Sequence, residues 1–375
     1  MKLIVGDAVP GSGYADPTFS QAVTGWQKQY GRHNLPWQRS KDPYRVWLSE
    51  IMLQQTQVTA VIPYYQKFLA SFPDVESLAR ASSEQVMAHW SGLGYYTRAR
   101  NLHACAKRVV LEYGGVFPDA PELLAGLPGI GRSTAAAIAA FSYGKRAAIL
   151  DGNVKRVFTR VFGIDGYPGS SAVEQDLWLR AQALMPEADV GEIQSYTQGL
   201  MDLGATLCTR ARPRCGDCPL QAKCVALATD RVAELPTRKP KKAIPTKQVR
   251  MLVLLNPSRQ VLLEKRPATG IWGGLYSLPE LFDDPAHTDE EVLQQIRQAA
   301  QVFGDVEQIR VLETFAHGFT HFKLEISPYA CRLTNSDNLI SEDTHVWLGL
   351  NECEGAPLPA PIKKLLMSLA VLEEV

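Results

Sequence analysis

Leu127-Pro128-Gly129-Ile130-Gly131-Arg132-Ser133-Thr134-Ala135 joins two helical stretches through a turn short enough to be a hairpin. Pro128 helps to end the first helix. Gly129 and Gly131 are expected to supply positive φ and a close backbone approach. The run that follows, residues 132–141 (RSTAAAIAAF), is rich in good helix formers, and its alanines allow close packing. The free N–H groups at the start of that helix form an anion site of phosphate size. Such a turn is common at helix corners, so taken alone it indicates a helical region and no more. Residues 44–56 (YRVWLSEIMLQQT) and 84–91 also carry apolar side chains at helical spacing. Leu35-Pro36, Phe72-Pro73-Asp74 and Gly114-Gly115 mark turns between helices.

The character of the chain changes beyond residue 230. Pro236 to Arg250 holds six basic residues (Arg238, Lys239, Lys241, Lys242, Lys247 and Arg250) and no acidic ones, punctuated by Pro236, Pro240 and Pro245. Prolines with like charges predict an extended linker, solvated or lying beside nucleic acid. After it, Val249–Leu255 and Gln260–Glu264 flank Asn256-Pro257 as a hairpin. An amphipathic helix is expected over 289–303, and strands over 325–333 and 345–350. A chain of 375 residues with 46% hydrophobic content has enough apolar material for two cores. The expected division is an N-terminal extension (1–18), an all-α domain (19–230), a basic linker (231–248) and an α+β domain (249–375). Net charge is zero, so bulk charge argues neither for nor against a nucleic-acid partner.

Within the helical region, Cys208, Cys215, Cys218 and Cys224 follow a C-x6-C-x2-C-x5-C spacing. Four thiolates so close in sequence suit one inorganic centre, zinc or iron–sulfur, and ligand type alone does not choose between them. A disulfide framework is not expected. The total of seven cysteines is odd, the other three are scattered singly, and no signal peptide is evident. No apolar run reaches the length of a membrane span. The chain reads as cytoplasmic, and as nucleoid-associated if it binds DNA. Arg210, Arg212 and Arg214 give the cysteine loop a surface suited to phosphates.

Two acids stand out. Asp151 sits between an apolar run (147–150) and a helix, where it is either a plain N-cap or a carboxylate held at the mouth of a cleft. Glu50 lies in the apolar helix around Trp47-Leu48-Ser49-Glu50-Ile51, where it either faces solvent or is buried. Burial would raise its pKa and suit it to general-acid work near neutral pH.

The ordered set of motifs resembles the helix–hairpin–helix DNA glycosylases of the endonuclease III superfamily over roughly residues 20–230. The motifs are LPW at 35–37, SEIMLQQTQV at 49–58, GLGYYTRARN at 92–101, LPGIGRSTA at 127–135, LDGNVKRV at 150–157 and the cysteine quartet. The resemblance implies a [4Fe–4S] cluster on the four cysteines. Within the superfamily, the chain is most similar to the adenine DNA glycosylase (MutY) family. Glu50 resembles that family's catalytic acid. Ser133 stands where bifunctional relatives carry a Schiff-base lysine, which implies a monofunctional enzyme. The C-terminal region resembles a Nudix fold at residues 266–279 (RPATGIWGGLYSLP), yet 289–303 lacks the R-E-x-x-E-E run that binds metal. A recognition role is therefore expected there instead of nucleotide hydrolysis.

The resemblance also implies roles for single residues. Asp151 stabilises the sugar cation, and Asn153 positions it or the nucleophile. Gln55 fills the gap left by a flipped base, and Tyr95 wedges beside 8-oxoguanine. Gly129, Gly131, Ser133 and Lys155, with the three loop arginines, face DNA. Trp37 and Gln198 line an adenine pocket, and Phe319, Thr320 and His321 read 8-oxoguanine. The implied substrate is double-stranded DNA carrying A·8-oxoguanine or A·G mispairs. The protein is expected to act as a monomer, with a sliding clamp as an added partner. Two other readings stay open at this stage: a glycosylase/lyase acting on oxidised pyrimidines, and a non-catalytic iron–sulfur protein that binds damaged DNA.

Overall fold

The computed structural model describes residues 14–187, 189–239, 244–267, 269–281, 288–319, 321–335 and 344–371. These form two compact units. One takes the described residues up to Arg80 and from Asn101 to Lys239. The other takes Ala81–Arg100 together with the chain from residue 244 onward.

The first unit is helical. Its N-terminal helices are α1 (Pro17–Tyr30), α2 (Pro43–Leu53), α3 (Val58–Ser71) and α4 (Val75–Arg80). Helix α5 (Ser83–Trp90) belongs to the second unit, and α6 (Thr97–Tyr113) begins there before running into the first. Then come α7 (Pro121–Ala125), α8 (Arg132–Tyr143), α9 (Gly152–Val161), α10 (Ser171–Ala183), α11 (Val190–Asp202) and α12 (Val225–Ala228). Local chemistry sets several starts. Asp16 accepts from the Thr18 and Phe19 amides ahead of Pro17, and Asp42 accepts from the Tyr44 amide ahead of Pro43. The alanines of α8 do the packing expected of them: Ala135 through Ala140 are all buried. Their small side chains let α8 lie close to α2 and α11, and its face meets Phe19, Val154, Phe158 and Leu200 in one core.

The hairpin between α7 and α8 corrects one expectation. Gly129 does take positive φ (76°), and a Cβ there would fall 2.7 Å from the Asn101 Cβ. Gly131 does not. It is the extended N-cap of α8 (φ −85°, ψ 169°), and a Cβ on it would meet nothing within 4 Å. The reversal is accomplished at Gly129 alone, so Gly131 leaves open space beside the helix start.

The second unit is built on a mixed sheet. Its strands are β1 (Thr246–Leu255), β2 (Gln260–Lys265), β3 (Tyr276–Ser277), β4 (Glu280–Leu281), β5 (Val306–Val311), β6 (Phe315–Gly318), β7 (Lys323–Leu333) and β8 (His345–Gly349). The main path runs β3-β2-β1-β7-β5; β4 pairs with β1, β6 with β7 and β8 with β2. The long β1–β7 pair is parallel, from Thr246 opposite Lys323 to Leu255 opposite Arg332. Helices α13 (Asp289–Ala300) and α14 (Ala360–Val371) complete the unit. Helix α13 lays Val292, Ile296 and Ala300 on Leu252, Leu254 and Leu262 of the sheet. Its i, i+4, i+8 apolar spacing is the pattern read from the sequence.

The stretch expected as a linker is tied in at both ends. On the helical side Leu235 is buried, Arg160 donates to its carbonyl at 2.9 Å, and Arg231 pairs with Asp165 and Glu234. On the other side, β1 has begun by Thr246. Lys241 and Lys242 lie outside the described residues. No described helix is long and apolar enough to cross a membrane.

Candidate active site

Glu50 is on the last turn of α2, between buried Ser49 and Ile51. It lines a cavity of about 370 Å³ that Trp37 and Gln198 line as well. The cavity places Glu50, expected as a catalytic acid, beside Trp37 and Gln198, the two residues expected to line an adenine pocket. Trp37 is held edge-on to Tyr65, with ring centroids 5.5 Å apart. Burial pushes the Glu50 carboxyl up to about 8, and the negative charge of Asp151 adds to the shift. At neutral pH the group carries its proton.

Asp151 is the N-cap of α9. Its Oδ1 accepts from the Val154 amide at 2.8 Å, and its Oδ2 lies 3.5 Å from the Asn153 Nδ2. The cap reading is the one these bonds describe; the residues lining the Glu50 cavity do not include Asp151. Desolvation raises its pKa, opposed by the Val154 and Asn153 amides and by the positive charge of Arg156. The charge of Asp151 raises the Glu50 pKa, so the two carboxyls titrate as a coupled pair.

Asn153 is fixed from behind. Its Oδ1 accepts from Arg156 at 2.8 Å, and Arg156 also donates to the carbonyls of Gly204 (2.7 Å) and Cys208 (2.7 Å). Gly204 belongs to a π-helical turn, Leu203–Leu207, that continues α11; a Cβ at Gly204 would lie 2.5 Å from the Asn153 Cβ. One turn further along α9, buried Arg160 donates to the Thr209 carbonyl at 2.8 Å and approaches the Cys208 Sγ at 3.4 Å. Helix α9 thus carries Asp151 at its start and grips the cysteine loop along its length.

The four thiols ring one apolar enclosure walled by Val157, Leu203, Leu207 and Leu227. Burial, reinforced by Cys208, Cys224 and Cys215, pushes the Cys218 thiol up to about 11. Among the described residues no three His, Cys, Asp or Glu side chains converge tightly on a single point. Four sulfur donors around one apolar space, with Arg160 beside one of them, suit a thiophilic centre, zinc or iron–sulfur.

Other expected residues fall as follows. Gln55 is exposed in the turn after α2 with φ 56°, a left-handed conformation uncommon for a non-glycine residue. Ser133 is not free. Its Oγ accepts the Leu150 amide at 2.9 Å and so pins the segment leading to Asp151. Lys155 does not present a free ammonium, because it pairs with Glu174 of α10 at 2.6 Å. Arg210, Arg212 and Arg214 are exposed, and Arg214 sits 3.6 Å from Asp217.

In the second unit Tyr95 is half exposed with φ 50°. Buried Arg98 lies between the rings of Trp90 (5.3 Å) and Tyr95 (5.5 Å) and donates to the Leu93 and Gly94 carbonyls. Phe319 stacks on Phe322 at 4.5 Å in the turn from β6 to β7, and His321 is exposed beside it. Thr320 lies outside the described residues.

Sequence reading missed Arg32 and Asp202. Asp202 is wholly buried and accepts from the Arg32 amide (2.8 Å), the Arg32 Nε (2.7 Å) and the Gln198 Nε2 (2.8 Å). With its amide nitrogen engaged there, Gln198 has its carbonyl oxygen left for the cavity. The signal was an acid inside Leu200-Met201-Asp202-Leu203, the same kind of signal that Glu50 gave.

Residues 48–182 match the HhH-GPD superfamily of base excision DNA repair proteins, and residues 250–368 match the NUDIX domain. The chain is 34% identical over 351 residues to the adenine DNA glycosylase of Buchnera aphidicola subsp. Baizongia pistaciae, covering 94% of this chain and 96% of that one. The chain belongs to the adenine DNA glycosylase family. It is 32% identical to the human adenine DNA glycosylase, over 92% of this chain and 73% of the human one. A solved thermostable thymine-DNA glycosylase superposes with a TM-score of 0.51 at 29% identity, covering 56% of this chain and 95% of that structure. This glycosylase is thus a base excision repair enzyme, with a helix–hairpin–helix catalytic domain followed by a Nudix-like domain.

Proposed function

We propose that this glycosylase is monofunctional and hydrolyses the N-glycosidic bond of adenine paired with 8-oxoguanine or guanine in double-stranded DNA. The observation that carries the reading is Glu50. A carboxyl that stays protonated to about 8 opens on a cavity with Trp37 and Gln198. A stacked and paired adenine must first leave the helix, and mispairing lowers that cost. Glu50 then donates its proton to N7, turning adenine into a good leaving group. As the C–N bond breaks, positive charge grows on the sugar, and ionised Asp151 stabilises it directly or through a transient covalent bond. Water completes the hydrolysis to an abasic site, activated by one of these carboxylates. Asn153, locked by Arg156, holds Asp151 in place. Gln198 offers its carbonyl oxygen to the adenine amino group. Gln55 fills the gap in the stack, and an inserted side chain offsets part of the unstacking cost. Ser133 in place of a lysine leaves no amine at that position to form an imine and cut the strand.

We assign residues 19–230 to the catalytic domain, 231–248 to the linker and 249–375 to recognition of 8-oxoguanine, read by Tyr95, Phe319, Thr320 and His321. Cys208, Cys215, Cys218 and Cys224 would hold a [4Fe–4S] cluster that stiffens the loop presenting Arg210, Arg212 and Arg214 to DNA. Purified protein should contain iron and labile sulfide in equal amounts; one zinc per chain without sulfide would overturn the assignment. The deciding assay is single-turnover excision on A·8-oxoguanine, A·G and A·T duplexes, with and without alkaline treatment. Strand breaks should require alkali, and A·T should be the poorest substrate. Breakage without alkali would favour the glycosylase/lyase reading, and no release from any duplex would favour a non-catalytic binder.

A further inference from the structure

Two of the elements assigned above to the opposite base lie in the second unit, far apart in sequence: the Tyr95 segment and the β6–β7 turn. Between them runs the turn Gly270-Ile271-Trp272-Gly273-Gly274-Leu275. Arg100, half-buried at the start of α6, donates through Nη1 to the Gly273 carbonyl at 2.5 Å and through Nη2 to the Thr97 Oγ1 at 2.9 Å. Gly274, at φ 79°, lies against the same side chain: a Cβ there would meet the Arg100 Cδ and the Met87 Cε, each at 3.9 Å. On the other side of the turn, Trp272 is buried, with ring contacts to His317 at 6.0 Å and to Phe319 at 5.9 Å. His317 in turn meets Phe319 edge-on at 4.8 Å. Trp272 has φ 54°, an unusual state for a bulky residue, and it persists only where surrounding contacts hold it. This turn is the part of the Nudix pattern that the chain retains, although the metal-binding run is missing.

We propose that the 270–275 turn is a brace that couples the Tyr95 segment to the Phe319 hairpin, making Trp272 and Arg100 positioning residues for discrimination of the base opposite adenine. The inference rests on the reading that Tyr95 and Phe319 contact that base. A guanine-type base that differs by one carbonyl oxygen and one N–H is told apart by small displacements of polar and stacking groups. Two recognition elements discriminate better when each fixes the position of the other. The brace has that geometry, with a charge-assisted hydrogen bond on one side and packed rings on the other.

The test measures the ratio of single-turnover rates on A·8-oxoguanine and A·G for Tyr95→Ser, Phe319→Ala, Trp272→Leu, Trp272→Phe, Arg100→Met and Arg100→Lys, alongside thermal unfolding of each. Arg100→Met and Trp272→Leu should each lower the ratio about fivefold, the scale of one lost hydrogen bond or ring contact. Trp272→Phe should restore most of that loss, and Arg100→Lys part of it. The combination Arg100→Met with Phe319→Ala should lose less than the product of the single losses, because both disable one coupled unit. If Tyr95→Ser and Phe319→Ala lower the ratio while the Trp272 and Arg100 variants do not, the brace is wrong and the recognition reading stands. Independent, multiplicative losses, or loss that merely tracks unfolding temperature, also overturn the brace. If none of the six changes the ratio, the recognition reading fails and the brace fails with it.

Discussion

The cavity in the helical unit and the β6–β7 turn in the second unit use opposite physical strategies. At the cavity, the decisive groups are carboxyls taken out of water. Glu50 is held protonated to about 8 by burial, and Asp151 is raised by desolvation while amides and Arg156 hold it partly down. At the turn, half-buried Phe319 stacks on Phe322 while His321 is exposed, and desolvation lowers the pKa of His317. Chemistry needs large electrostatic differences, which burial supplies. Discrimination between similar bases needs small differences in contact, which adjustable surface loops supply. Perturbing the first region should therefore change rates by orders of magnitude, and perturbing the second by single-digit factors.

The largest effect is expected at the carboxyl pair. Glu50→Gln removes the proton donor and should lower single-turnover adenine release about 100- to 10,000-fold, with mispair binding largely retained in a gel-shift or anisotropy titration. Asp151→Asn keeps an N-cap oxygen, so the start of α9 should survive while excision falls by a similar order. Full turnover by either variant would break the comparison at its strongest point.

The next effect is on pH. Because Glu50 acts protonated, excision should fall about tenfold per unit as pH rises above about 8. On the acid side it should fall as Asp151 takes up a proton, at a pH above the ordinary aspartate range. The stability effect has a definite sign. Folding holds the Glu50 proton more tightly than the unfolded chain does, so this group favours the folded state at low pH. That contribution is lost as pH climbs from the ordinary carboxylate range to about 8. Glu50→Gln should therefore raise Tm, and more so at pH 9 than at pH 5. A Tm difference independent of pH would mean that the carboxyl is not desolvated.

A smaller catalytic effect is expected one layer behind the cavity. Asp202→Asn leaves Arg32 and Gln198 without their buried carboxylate, and should reduce stability by about 3 kcal/mol in a denaturant titration. Excision should slow by about tenfold as Gln198 loses its fixed orientation. If excision is unchanged at that loss of stability, Gln198 does not orient the base.

The helices near 44–56, 84–91 and 132–141, the first β-hairpin and α13 were legible because apolar period is a local property, and Val292, Ile296 and Ala300 mark one face of α13. Glu50 and Asp151 stood out as acids beside apolar runs. What lay beyond reach depended on pairing across the chain. Nothing near Lys155 in sequence indicates Glu174, and nothing near Asn153 indicates Gly204. Nor does the position of Ala81–Arg100 in the chain indicate that it packs with residues more than 150 positions later. The glycine reading failed at Gly131 because a G-x-G pair does not reveal which glycine makes the turn.

The smallest effect is expected at the surface turn itself. Phe319→Ala removes a stacked ring from Phe322 and an edge contact from His317, and Phe319 is already half solvated. An aromatic pair contributes about 0.5–1.5 kcal/mol beyond its buried area, which corresponds to a loss of roughly two- to tenfold in preference for A·8-oxoguanine over A·G. His321→Ala should fall at the lower end of that range, since among the described contacts its ring packs against no other aromatic ring. Both variants should excise adenine from A·G within a small factor of the parent rate, because Glu50 and Asp151 belong to the other unit and keep their own environment. A hundredfold loss on A·G from Phe319→Ala would show that the turn governs the chemical step, and the division between buried chemistry and surface discrimination would no longer hold.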